Sequence, residues 1–181
     1  AYGFTPDFSK MDDEVEKRII KWKDEGKNQK EIDFEAKNWK LLEGLRYVKK
    51  DSFDFTLQTV GIYENRDIVV KACNILIIRL ENLIKSLDED TIEIEPSKST
   101  MENSYDITLE NEDYTIGNML NNEIYEIFYK DMGNVSYVGF KKFHPHDLNS
   151  MLRIAFKEIT EKKTVKILFK ASLNSSKEVI E

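Results

Sequence analysis

The chain has a single cysteine, Cys73, in 181 residues. That excludes an intramolecular disulfide framework and a zinc site built from several cysteines, and it suits a reducing compartment. Seven glycines and three prolines are too few for a collagen-like or low-complexity sequence, and with a balanced composition they set the chain apart from the disordered class. No apolar run approaches the ~20 residues needed to cross a bilayer. The longest, Cys73 to Leu80, is broken by Asn74 and Arg79, so no membrane-spanning helix is expected. Cationic excess is missing too: 27 Lys and Arg against 34 Asp and Glu leave a formal charge of −7. Nucleic-acid phosphates demand clustered Lys and Arg, so direct DNA binding is not expected.

What is present describes a highly charged globular chain with enough apolar residues for a core. A chain of this length makes one domain or two small ones and can bury roughly 70% of its unfolded surface. The first residue is Ala1 and no signal-peptide pattern follows, so we expect a piece of a longer or processed chain.

The first 16 residues are acidic, and from Lys17 to Lys50 the balance turns basic. Glu25, Glu31, Asp33, Glu35 and Glu43 interleave with those cations, so a solvated face is a better reading of the stretch than a nucleic-acid patch. Asp12 or Asp13 can cap a helix bearing Val15, Ile19 and Trp22, which Gly26 then stops. A second helical pattern uses Ile32, Ala36, Trp39 and Leu42 and ends near Gly44. Strict alternation follows, with Phe53, Phe55, Leu57 and Thr59 on one side, which predicts a strand with one buried face closed by Gly61. From about Arg66 to Leu87 a long helix carries a stripe of Ile68, Ala72, Ile75, Leu76, Leu80, Leu83 and Leu87. Val69, Val70, Cys73, Ile77 and Ile78 make its first half apolar nearly all round, so something besides its own strand must cover it. Residues 88–104 combine acidic repulsion with loop formers and read as a linker. Then come a strand (Tyr105, Ile107, Leu109), a helix from about Thr115 to Lys130, two strands (135–143 and 150–157) and a last helix from about Thr160 to Leu173. The order predicts an α+β fold with helices on one face of a small antiparallel sheet.

Chemistry-bearing constellations are thin. His144 and His146 flank Pro145, and two histidines one residue apart project to opposite sides of an extended chain, a poor start for tetrahedral zinc; a strand-connecting loop is the better reading. Cys73 lies in the apolar helix with no histidine near it in sequence, which describes a buried inert thiol. Paired carboxylates such as Asp12-Asp13 and Glu112-Asp113 lack a phosphate loop or positioned base beside them. No catalytic, cofactor-binding or metal residue is assigned. Gly117, inside an otherwise good helix, costs ~1 kcal/mol relative to alanine, which invites a packing reason such as close approach of another helix.

Three segments carry a resemblance. The run from Asp106 to Leu120 reads Asp-Ile-Thr-Leu-Glu-Asn-Glu-Asp-Tyr-Thr-Ile-Gly-Asn-Met-Leu, followed by Val138-Gly139-Phe140 and by His144-Pro145 ahead of Leu152-Arg153-Ile154. This pattern resembles the small alpha-like subunit of cellular RNA polymerases, the eleventh subunit of polymerase II, called L in archaea. Tyr114 stands for the family's usual His, Ile116 for Leu and Phe140 for Tyr. Phe53 to Gly61 with the helix Ile68 to Leu87 resembles the end of the larger alpha-like partner, the third subunit, called D in archaea. Residues 1–50 would be the tail of that partner's inserted domain, 51–87 its C-terminal strand and helix, 88–104 an acidic linker, and 105–181 the small alpha-like unit. The larger partner's own N-terminal dimerisation elements have no counterpart in this chain. Both units on one polypeptide is an arrangement of polymerases from large cytoplasmic DNA viruses. The resemblance therefore implies a viral source and a place in the virion or host cytoplasm, or in the nucleus were the chain a cellular eukaryotic one.

The resemblance implies a non-catalytic assembly platform whose alpha-like units pair across a pseudo-twofold, within the chain or between chains. Its implied partners are the large catalytic subunits and the small zinc-binding subunits, with DNA reached only through the complex. Thr115, Gly117, Asn118 and Leu120 would shape the helix entry and pairing face. Phe55, Ile68, Ala72 and Ile75 would belong to the partner unit, and Phe140, His144 and Pro145 would form the sheet edge and turn. Two other classes remain open: a free-standing α+β adaptor holding RNA through Lys17 to Lys50, and, last, a metal enzyme built on His144, His146 and Asp147.

Overall fold

A computed structural model describes all 181 residues and divides them into two compact units, Ala1–Asn65 and Arg66–Glu181. The fold is α+β, with five α-helices and two antiparallel sheets.

In the first unit, strand β1 (Tyr2–Pro6) pairs antiparallel with β2 (Val48–Phe55), matching Tyr2 with Phe55 and Phe4 with Phe53. Helices α1 (Phe8–Asp24) and α2 (Gln29–Leu42) lie between them in sequence. The cap of α1 is Asp7, not Asp12 or Asp13: its carboxylate accepts the Lys10 amide, which holds that carboxyl below its usual range. The reason is that Met11 and Val15 both turn inward, so the helix needs a full turn ahead of the apolar residues chosen as its start. Asn28 and Glu31 close a reciprocal capping box at the head of α2. Gly26, at φ +81°, ends α1 as expected. Met11, Val15 and Trp39 form a small core, against which Ile19, Trp22, Ala36 and Tyr47 pack, with the Arg18 guanidinium 4.8 Å from the centre of the Trp39 ring.

The second unit holds α3 (Asn65–Asp88), β3 (Ile94–Pro96), β4 (Ser104–Leu109), α4 (Tyr114–Ile124), a π-helical stretch (Tyr125–Asp131), β5 (Val135–Lys141), β6 (Ser150–Phe156) and α5 (Lys162–Ile180). Its sheet runs β3-β4-β6-β5, antiparallel throughout. Period-two alternation puts Ile107, Leu109, Leu152 and Ile154 on one face, where they are buried with Ile116, Leu120 and Ile124 of α4, Val165, Leu168, Phe169 and Leu173 of α5, and Leu80, Leu83 and Leu87 of α3. On the opposite face Arg153 donates two hydrogen bonds to Asp106 across the β4–β6 pair, at 2.6 and 2.8 Å. That guanidinium holds the Asp106 carboxyl below its usual range.

Several expectations are corrected. The strand–helix unit at 51–87 is divided: Phe53 and Phe55 pair with β1, whereas the end of α3 belongs to the core of the second unit. The strand ends at Phe55 and has no buried aromatic face; Phe55 is 78% exposed. Residues 88–104 do not separate the two units, because Ile94 is buried and β3 adds an edge strand to β4. The helix expected to run to Lys130 leaves α geometry after Ile124, and the last helix continues past Leu173 to Ile180 because Ser172 and Ser176 extend its buried stripe.

Candidate subunit interface

Gly117 is the residue around which the quoted segments gather. Asp113 caps α4, its carboxylate accepting the Thr115 amide, and one turn on Gly117 is buried beneath the ring of Phe140 from β5. A methyl group on Gly117 would meet three atoms of that ring inside 3.0 Å, closer than carbon atoms approach. The close neighbour is therefore a strand side chain and not a second helix, which corrects the expected reason for the glycine. Tyr114 meets Phe140 edge-on at 5.7 Å between centroids, and Leu120 is fully buried in the core against which Phe140 also packs. Glu112, just ahead of the cap, is held by Arg79 of α3 through a 2.5 Å charge-assisted bond, with 9% of its side chain exposed. The β4 end, the α4 entry, β5 and the middle of α3 thus converge on one place.

No protein family in the collection of family profiles matches this chain, and no curated protein matches it.

Along α3 the burial changes halfway. Leu80, Leu83 and Leu87 are buried, each worth about 1.5–3 kcal/mol relative to exposure. Ion pairs flank them: Glu81 with Lys177 at 2.6 Å, Asp88 with Lys170 at 2.5 Å, and Asp90, just past the helix, with Lys166. The N-terminal half is open. Val69, Val70, Ile75 and Ile78 are large exposed apolar residues, Ala72 is exposed, and Ile68 and Cys73 are half-buried. Ile75 alone is 57% exposed, so the expected cover for this half is not supplied within the second unit, and Cys73 is not a buried thiol.

Thr115 and Asn118 are exposed and line a groove of about 570 Å³ between α4 and α5, with Met119, Asn122, Ser176 and Val179 among its walls. The structure thereby brings Thr115, Gly117, Asn118, Leu120 and Phe140 to the α4 entry. It leaves His144 and Pro145 exposed in the β5–β6 connection, where His144 Nδ1 accepts the His146 amide at 3.2 Å and the two imidazole rings lie 5.2 Å apart. Phe55 belongs to the first unit, and Ile68, Ala72 and Ile75 to α3.

Sequence reasoning missed Arg79–Glu112, Asn122 and Ser176. The serines had a readable signal: Ser172 and Ser176 continue the Val165, Leu168, Phe169 and Leu173 stripe at helical spacing. The ion pair had none, since its partners are 33 residues apart.

Proposed function

We propose that this chain is a non-catalytic, alpha-like assembly subunit of a multisubunit DNA-directed RNA polymerase, pairing alpha-like units and docking the large catalytic subunits. The observation that supports the reading is the meeting of Gly117 and Phe140 under the Asp113 cap, because these come from separate segments that each carry the resemblance. The open apolar half of α3 beside this site suits a subunit whose role is to be covered: four large exposed apolar side chains within three helical turns mark an interaction site. The large subunits would supply nucleotide addition. The small zinc-binding subunits are further partners in this reading, and DNA is reached only through the assembled complex.

The test is capture of the tagged full-length chain from cells that express it, with identification of what co-purifies. The two large polymerase subunits are expected, and Ile75→Asp, a change at an exposed position, should lose them while the purified chain keeps its circular dichroism. Capture of RNA alone, released by salt, would replace this reading with the adaptor.

A further inference from the structure

The edges of the two sheets differ in how they are closed. An edge strand leaves the N–H and C=O of every second residue pointing outward, a template for another strand, and proteins blunt such edges with short length, proline, charge or a bulge. Three of the four edges carry these devices. β3 has three residues, Glu95 and Pro96 among them. β1 has five, with Gly3 inside it and Pro6 at its end. β2 holds Lys49, Lys50 and Asp51 where its register with β1 shifts.

β5 is the exception. It is seven residues long and ends its sheet, with β6 as its one neighbour. Its bulge is confined to the step from Val135 to Tyr137, and its one charge is Lys141 at the far end. Tyr137 to Phe140 therefore form an uncharged edge without proline. In β6, paired on both sides, every residue but Met151 and Arg153 is buried, whereas in β5 only Val135 is.

The register of β5 defines what an added strand would meet. Val138 and Phe140 stand opposite Ile154 and Leu152, on the face that the helices cover, yet both are only half-buried there. Tyr114 of α4, itself exposed, adjoins Phe140 on that side. A further strand would complete this row with apolar side chains at alternate positions. At the C-terminal end of β5, Lys141 and Lys142 follow one another, and the Lys141 ammonium lies 4.4 Å from the centre of the Phe143 ring with no carboxylate paired to it.

We propose that β5 is a strand-addition site for another protein. An extended segment pairs antiparallel along Tyr137–Lys141, its alternate apolar residues facing Val138 and Phe140 and an acidic residue near its start beside Lys141 and Lys142. The occupant is a strand because the outward groups recur every second residue, about 7 Å apart. An extended chain matches that spacing with open backbone groups, while a helix has closed its own internally. The proposal goes beyond the polymerase reading and holds whichever assembly the chain serves.

The test is selection of a phage library of random twelve-residue peptides on the purified full-length chain, followed by synthesis of the enriched sequences. Binders with period-two apolar residues and Asp or Glu in their N-terminal part are expected. Their binding should slow amide exchange in residues 135–141 about tenfold or more and leave 2–6 and 48–55 unchanged. N-methylation at successive peptide positions should raise Kd about tenfold at every second residue only, because the others point away from β5. Lys141→Glu with Lys142→Glu should raise Kd about threefold, an effect that fades at high salt, while circular dichroism checks that the fold is kept. A library without binders, protection that falls on other strands or on α3, or an N-methyl scan without a period of two would overturn the proposal, and so would affinity indifferent to the charge reversal. If the chain alone dimerises in sedimentation equilibrium with its 135–141 amides already protected, a second copy fills the edge and the proposal is wrong. Capture of the large polymerase subunits is scored separately: peptides bound along β5 without that capture sink only the polymerase reading, and capture without any β5 peptide sinks only this one.

Discussion

Replacing Gly117 by alanine sets two effects of opposite sign against each other. In a helix interior the change gains up to ~1 kcal/mol of propensity. The added methyl, however, falls within 3.0 Å of three atoms of the Phe140 ring. To regain the ~3.5–4.0 Å of ordinary carbon contact the ring must leave its place on α4. Displacing a half-buried phenyl forfeits about half of the ~1.5–3 kcal/mol of full burial, and losing the edge-on contact with Tyr114 removes a further ~0.5–1.5 kcal/mol. The net expectation is a loss of about 1 kcal/mol, up to the ~1–3 kcal/mol typical of overpacking. Urea unfolding followed by circular dichroism, in a double-mutant cycle with Phe140→Ala, reads it directly. In the Phe140→Ala background the clash is gone and Gly117→Ala should stabilise. If it costs the same in both backgrounds, the ring is not what requires the glycine.

Two further outcomes follow from the ion pairs. The Asp106 carboxyl, held low by Arg153, contributes stability that is present above its unfolded pKa and lost as pH falls through its lower folded value. Acid unfolding of Asp106→Asn should therefore show a shallower loss of stability below about pH 4 than wild type, and identical profiles would remove the pair from the account. Glu112→Gln leaves Arg79 facing a neutral amide where a nearly buried carboxylate had been; a loss of about 1–3 kcal/mol in the urea midpoint is expected, and none if the pair is merely superficial.

The fold was legible where burial is set by period. The alternation of Ile107 and Leu109, the 3.6-residue spacing of Ile116, Leu120 and Ile124, and Gly26 after α1 all appear where the pattern put them. The failures are equally physical. Phe53 and Phe55 alternate as a buried strand would, yet side-chain period says which residues share a face and nothing about whether that face is covered. Acidic and polar residues at 88–104 suggested a linker, but β3 needs only one inward residue, Ile94, to be an edge strand. The first strand, Tyr2–Pro6, went unread because its partner lies more than 40 residues away. At the candidate interface, Gly117 announced itself as a helix breaker in a helix, while the identity of its neighbour depended on how β5 lies across α4 and was beyond any local pattern.

The π-helical turn after Ile124 has a consequence for how the chain tolerates changes of length. A turn closed by i→i+5 bonds holds one residue more than α-helical winding needs, in effect an insertion absorbed without breaking the helix. The amides of Met132 and Asn134 bond back to Ile127 and Phe128, so the surplus is taken up before β5 begins. Deleting one residue within Tyr125–Asp131 would let the segment relax to ordinary α winding and keep the phase of β5, whereas the same deletion within Tyr114–Ile124 would rotate everything after it by about 100° and turn Phe128 away from the core.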